Sequence, residues 1–346
     1  MSTRDYSRRE FIQTLMAGVA LGSVMMSMQR CSSRGIPTRP LGKTGIHVPI
    51  LCIGGWDAAA NKSDEEGVKL LLEALDQGAT FWDNAWEYHN GRAEEVMGKA
   101  LAQSGRREDI FLMTKVCARD YEGARRHLED SLRRLQTDHL DLWQFHAIQY
   151  EGDSGRIFDP EKGALRAALE AREQGKIRFI GFTGHRDPAI HLEMLGRPFE
   201  WDSVMIPTNI MDAHYNSFQS QVLPVLNQRN MGVIGMKSLA AQEGRIPKDL
   251  NVSAELCRRY ALSLPITSLC AGIQTLEELH ADLNIVKNFN PLTEEEIDHL
   301  LDISEGPAQD GHIEEYKNPK GFFGCSYHTR VLADEANQAD AAVNPG

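Results

Sequence analysis

A closed (β/α)8 TIM barrel, preceded by a short β-hairpin and followed by a C-terminal helix and loop extension, is the α/β fold that this sequence predicts. From Val48 onward, short apolar runs alternate with amphipathic stretches of helical period, the pattern of a parallel α/β layer. Eight such runs can be counted, which suits a closed barrel better than an open doubly wound sheet. No G-x-G-x-x-G follows the first run, so a Rossmann-type domain is not indicated. At 346 residues the chain holds one barrel of roughly 250 residues with room at both ends.

The predicted strands span 50–54, 80–84, 110–114, 140–145, 179–183, 203–207, 233–236 and 267–271. A segment at 37–48 reads as a hairpin ahead of the first strand. Ser63-Asp64-Glu65-Glu66 has the form of a capping box, and Val68, Leu71, Leu72 and Leu75 follow as one apolar stripe that Gly78 ends. Leu165, Ala168 and Leu169 mark the fourth helix, stopped at Gln174-Gly175. A second capping box, Thr275-Leu276-Glu277-Glu278, opens the eighth helix, and Thr293 caps a further helix over 294–303. Three regions result: a leader over 1–33, a barrel over 37–305 and an extension over 306–346. Within the extension, only Asn318-Pro319-Lys320-Gly321-Phe322-Phe323-Gly324-Cys325 is expected to order against the barrel.

The composition, 42% hydrophobic and 25% charged, is that of a folded soluble protein. A formal net charge of −12, with no long Lys/Arg run, argues against a nucleic-acid partner. In the leader, Ser7-Arg8-Arg9-Glu10-Phe11 precedes an uncharged run over 15–28, the layout of a twin-arginine export signal. That layout implies the twin-arginine (Tat) machinery as a partner and a periplasmic or cell-envelope location. The run is short for a membrane span of about 20 residues. Cleavage and retention as a membrane tether both stay open, and Arg30 before Cys31 makes a poor lipidation site. Cys52, Cys117, Cys257, Cys270 and Cys325 form no C-x-x-C pair, so spacing alone gives no zinc or iron–sulfur motif and no metal is expected.

The chemistry sits at the ends of the apolar runs. Asp83 lies late in the second and Tyr88 in the loop after it, while Lys115 ends the third and His146 the fourth. In a β/α barrel these positions converge on one mouth. A phenol with a reference pKa near ~10 is a poor proton donor at neutral pH. A buried ammonium beside it, held by a carboxylate, stabilises the phenolate, while an imidazole polarises a carbonyl oxygen. Together these four residue types describe carbonyl reduction without a metal. Trp56, Trp86 and His89, in the first two loops, are positioned to line a substrate pocket or simply to pack.

In spacing, this set resembles the tetrad of the aldo-keto reductase family. The resemblance extends through Leu41-Gly42-Lys43-Thr44-Gly45, Leu51-Cys52-Ile53-Gly54-Gly55-Trp56, Lys176-Ile177-Arg178-Phe179-Ile180-Gly181-Phe182-Thr183 and Gly232-Val233-Ile234-Gly235-Met236-Lys237. It implies NAD(P)-dependent reduction of an aldehyde, ketone or sugar carbonyl, with Asp83, Tyr88, Lys115 and His146 catalytic. It also implies a cofactor wall of Thr183, Asn209, Met236, Lys237, Ser238, Leu239, Gly272, Gln274, Thr275, Glu278 and Asp282. Several of these depart from the family pattern. Thr183-Gly184 stands for Ser-Asn, Asn209 for Gln, Met236 for a stacking aromatic, and Ala281-Asp282 for Glu-Asn. Gln274 replaces the Arg that faces a 2′-phosphate, which weakens an expectation of NADP over NAD. Lys237, Arg245 and Lys248 remain within reach of such a phosphate. Two other readings follow from the same features. The export signal suits an enzyme whose nicotinamide cofactor stays bound through a sugar transformation, and the altered Thr183-Gly184 region suits a non-catalytic ligand-binding barrel.

Overall fold

A computed structural model of the chain describes residues 30–31, 35–61, 63–240, 244–318, 325–327 and 331. The twin-arginine motif and its apolar run lie outside the described residues. A three-stranded antiparallel sheet comes first: β1 (Arg30–Cys31), β2 (Pro37–Pro40) and β3 (His47–Pro49). The barrel strands are β4 (Leu51–Gly54), β5 (Phe81–Asp83), β6 (Phe111–Val116), β7 (Leu140–Phe145), β8 (Ile177–Thr183), β9 (Ser203–Pro207), β10 (Gly232–Met236) and β11 (Ser268–Ala271). They pair in chain order around the ring, and β11 closes in parallel on β4 through Cys270 opposite Cys52. The helices between β4 and β8 are α1 (Gly55–Ala58), α2 (Asp64–Asp76), α3 (Arg92–Ser104), α4 (Tyr121–Leu135), α5 (Asp153–Ile157) and α6 (Ala164–Glu173). Beyond β8 come α7 (Pro188–Gly196), α8 (Phe218–Gln221), α9 (Leu223–Gln228), α10 (Arg245–Leu250), α11 (Ala254–Ser263), α12 (Leu276–Lys287) and α13 (Glu294–Ala308).

All eight predicted strands are present, with two shifted ends that matter. β6 continues to Val116 because Lys115 and Val116 keep their ladder partners, Gln144 and Phe145, on β7. Lys115 is therefore inside a strand rather than after it. β8 starts at Ile177, paired with Leu140. The hairpin is β2–β3, and it seals the bottom of the barrel. Leu41 and Val48 are fully buried in the inner core with Cys52, Phe81, Met113, Leu142 and Ile234. Gly42 permits this seating: its φ is +52°, and a Cβ there would lie 2.4 Å from the Gly232 nitrogen. Each fully buried aliphatic side chain of the plug contributes about 1.5–3 kcal/mol. β1, which pairs with β2, falls inside the segment that the sequence assigned to the leader.

Outside the ring, α2 buries Val68, Leu71 and Leu75, with Leu72 half-buried. Ser63 caps it by accepting from the Glu66 N–H at 3.3 Å, without the return bond of a full box. Thr275 and Thr293 head complete boxes on α12 and α13. The extension departs most from expectation. α13 runs on to Ala308, and the stretch from there to Asn318, which the sequence did not single out, packs against the barrel. Ile313, Glu314, Tyr316 and Lys317 are buried, and the Lys317 ammonium bonds Asp212 and Glu314, each at 2.7 Å. That buried network, formed between residues a hundred positions apart, is what fixes the strap. Residues 319–324 lie outside the described residues.

Candidate active site

β5 carries Asp83 to the mouth, and Asn84 then turns the chain. Its side-chain amide donates to the Ala93 carbonyl at 2.9 Å and its oxygen accepts from the Ala85 N–H at 2.9 Å. This leaves the Asn84 backbone carbonyl aimed at Lys115, 2.7 Å from Nζ. The same ammonium reaches Asp83 Oδ1 at 2.5 Å and the Tyr88 hydroxyl at 3.4 Å, and Lys115 is only 1% exposed. Tyr88 opens a short turn in which His89 and Asn90 take left-handed backbone, φ 50° and 57°. Such strain in non-glycine residues persists only where neighbours hold it. Here Trp56 does so, its carbonyl accepting from His89 Nε2–H at 2.9 Å and its ring lying tilted over the imidazole at 4.2 Å. His146 follows β7, its ring edge-on to Tyr88 at 5.5 Å.

Charge in this cluster is set by burial against pairing. Burial works against the Lys115 ammonium, but Asp83 and Tyr88 outweigh it and hold the group above the usual lysine range. Asp83 is pushed up by burial, with Lys115 opposing. Tyr88 is also raised, because burial outweighs Lys115, which acts in the lowering direction expected from the sequence. The phenol is thus fully protonated in the free protein. Burial, then the positive charges of Lys115 and its neighbours, keep the His146 imidazole well below its ordinary range and neutral.

The four residues line one cavity of about 780 Å³ at the carboxyl ends of the strands. Of the wall implied by resemblance, Thr183, Met236, Lys237, Ser238, Leu239, Gly272, Gln274 and Glu278 line the same cavity, as does Trp56. Five predicted residues do not. Asn209 is covered by the strap, with its amide bonded to Glu314 Oε1 and the Tyr316 hydroxyl, each at 3.0 Å. Thr275 is spent capping α12, and Asp282 is paired with Arg258 at 3.2 Å. Trp86 faces away, stacked on His127 at 3.6 Å. His89 supports Trp56 from behind. Sequence reasoning missed Asp57, Glu87 and Arg258, which line the cavity. No motif marks them: each reaches the site through a fold contact, Arg258 by bonding Ser238 Oγ at 2.7 Å and Asp57 by packing its carboxylate against Gly272.

The wall fits a dinucleotide. Lys237, Lys248 and Arg258 all line the cavity, Arg258 already paired with Asp282 at 3.2 Å. Burial brings Lys237 down to about 8, the state of a cation that lacks a full counter-charge.

Comparison with known proteins agrees with this geometry. The aldo/keto reductase family profile matches residues 50–249. An uncharacterised oxidoreductase of Bacillus subtilis, YrpG, is 31% identical over 58% of this chain and 65% of its own, so the chain spans just under two thirds of that relative. A protein of Arabidopsis thaliana named as a probable voltage-gated potassium channel subunit beta is 38% identical over 71% of this chain and 79% of its own. The holo structure of the aldo-keto reductase AKR11C1 from Bacillus halodurans superposes with a TM-score of 0.65, at 27% identity, over 78% of this chain and 96% of that one. The barrel, its plug and the family match lead to one conclusion: the chain belongs to the aldo/keto reductase family.

Proposed function

We propose that Tyr88 is the proton donor in the reduction of an aldehyde, ketone or sugar carbonyl, with Lys115, Asp83 and His146 supporting it. The observation that carries this reading is the unbroken buried contact from Asp83 to Lys115 to the Tyr88 hydroxyl, at 2.5 and 3.4 Å. Burial keeps the phenol loaded with its proton, and the Lys115 charge lowers the cost of releasing it. Asp83 keeps that charge in place. With its Nδ1 turned towards Glu87 and Cys117, at 3.4 and 3.6 Å, His146 has Nε2 left to hydrogen-bond a carbonyl oxygen. When bound, the nicotinamide supplies the hydride. Thr183 and Met236 would hold that end of the cofactor, and Lys237 and Lys248 would hold its phosphates. Turnover of simple aldehydes with NADPH or NADH, followed by loss of nicotinamide absorbance, tests the reading. Tight cofactor binding with no reduction of any carbonyl class would overturn it.

Discrimination between NADPH and NADH is expected to be modest. Gln274 donates to Asp57 Oδ1 at 3.2 Å, so a carboxylate and an amide stand where a cation would favour a 2′-phosphate. Arg258 is already engaged by Asp282, Ser238 and the Gly272 carbonyl. Gln274→Arg should shift preference towards NADPH by roughly 10- to 150-fold, the worth of one charge-assisted contact. The shift should shrink at high salt if the contact is exposed. Titration of both cofactors against both proteins decides it. A wild type that prefers NADPH by about a thousandfold, some 4 kcal/mol, would contradict the assignment.

Lys237 gives the cofactor site a pH dependence. Its charge is present below about 8 and lost above, because burial has lowered it from the ordinary 10.5. Affinity for either cofactor should be flat below that point and fall above it by up to about tenfold per pH unit. Lys237→Met should weaken binding at neutral pH and remove the slope. An unchanged slope in the variant would assign it to another group.

The paired Arg8-Arg9 and the apolar run after it support export by the twin-arginine route into the periplasm or cell envelope. Arg8→Lys with Arg9→Lys should leave folded protein in the cytoplasm. Equal periplasmic recovery of variant and wild type would show that the pair is not an export signal.

A further inference from the structure

On the Nδ1 side of His146, two thiols and a carboxylate from three other parts of the chain converge on its imidazole. Cys117 follows β6, His146 follows β7, Glu87 precedes the Tyr88 turn, and Cys325 comes from the C-terminal extension. Their ligand atoms, Sγ, Nδ1, a carboxylate oxygen and Sγ, all lie within 4.8 Å of one another. Cys117 Sγ is 3.6 Å from His146 Nδ1, and that nitrogen is 3.4 Å from Glu87 Oε1. Tetrahedral zinc, with bonds of about 2.3 Å to sulfur and about 2.0 Å to nitrogen and oxygen, requires edges of about 3.8 Å between sulfurs, about 3.5 Å from sulfur to nitrogen or oxygen and about 3.3 Å from nitrogen to oxygen. The match extends to the surroundings. Arg119 donates to the Cys117 carbonyl at 2.9 Å and to those of His146 and Ala147 at 2.6 and 3.1 Å, fixing two ligand backbones. Its own charge is balanced by the buried Asp153 carboxylate at 3.2 Å, so its part here is to hold those backbones. The second Glu87 oxygen accepts from the Ser326 N–H at 2.8 Å and from its hydroxyl at 3.2 Å, and Tyr327 packs on Trp86 and His127. These contacts bring Cys325 to the cluster.

We propose that Cys117, His146, Cys325 and Glu87 form a structural binding site for a divalent soft metal, zinc above all. Binding forms two metal–thiolate bonds and releases the two thiol protons to solvent, with no change of oxidation state. The metal ties the C-terminal extension to the barrel mouth. It also fixes His146 as the tautomer that carries its proton on Nε2, a donor towards the cavity. The site stands whether or not the reductase reading does; only the consequence for His146 rests on that reading.

The test uses the full-length protein, reduced, stripped with a chelator and titrated with zinc, then separately with cobalt(II). The expected result is about one zinc per chain and a cobalt spectrum of tetrahedral type with thiolate charge-transfer bands. Cys117→Ser and Cys325→Ser should each weaken zinc binding by roughly 10- to 100-fold or more, judged against the similar loss for outer-shell partners. Cys257→Ser, in α11 and outside the cluster, should leave it unchanged. Because the metal is read on the wild type directly, a variant that fails to fold does not decide the matter. Uptake below about a tenth of an equivalent, a cobalt spectrum without thiolate bands, or equal loss in Cys257→Ser would overturn the proposal. So would recovery of a Cys117–Cys325 disulfide in protein that takes up no zinc after reduction.

Discussion

Replacing Tyr88 with Phe is expected to lower carbonyl reduction by roughly 10²- to 10⁴-fold while leaving cofactor affinity nearly unchanged. The ring keeps its edge contacts with Trp56 and His146, at 5.2 and 5.5 Å, and only the hydroxyl near Lys115 is lost. Because burial already holds the phenol protonated, the wild-type donor is present across the neutral range. Steady-state turnover together with a nicotinamide fluorescence titration separates the two quantities. Turnover above about a tenth of wild type would remove Tyr88 from the role, since a general acid contributes far more than that.

Lys115→Met should have the largest effect on stability. It leaves the Asp83 carboxylate buried without its cation, a loss of about 3–5 kcal/mol for a broken buried pair. Without Lys115 to oppose burial, Asp83 would rise further above its unfolded value. A carboxyl raised in the folded state is tolerated at low pH and costs stability as pH rises through its folded pKa. The deficit of the variant should therefore grow with pH and shrink in acid, as chemical denaturation at several pH values would show. Adding Asp83→Asn should restore much of the stability and none of the activity. A single variant as stable as wild type at neutral pH would mean that the Asp83–Lys115 contact carries little energy.

The barrel was legible because its strands are short apolar runs bounded by polar caps, and all eight predicted runs became strands. The four residues proposed as the catalytic set were legible for a related reason, since strand ends of a barrel share one mouth. Lys115 shows the limit of that reading. A charged residue looks like the end of a strand, yet the ladder carries on past it because Asp83 and the Asn84 carbonyl satisfy its ammonium inside. Asn209 and Trp86 do not line the cavity, for long-range reasons. The strap at Glu314 and Tyr316 covers one, and stacking on His127 turns the other away. Neither contact has a local signature, because the partners are distant in sequence. The same holds for Cys117 and Cys325, whose spacing of more than two hundred residues suggests no motif.

The central claim is that this cavity joins a nicotinamide to a carbonyl and that Tyr88 completes the reaction. Its most direct test is a single turnover with excess enzyme and 4-deuterated cofactor, run with aldehyde, ketone and aldose substrates and analysed by mass spectrometry of the product. The account predicts an alcohol carrying deuterium at the former carbonyl carbon from wild type, and almost none in the same time from Tyr88→Phe. Enzyme that binds the cofactor yet yields no deuterated alcohol from any of the three classes, or a Tyr88→Phe variant that yields as much as wild type, would contradict it.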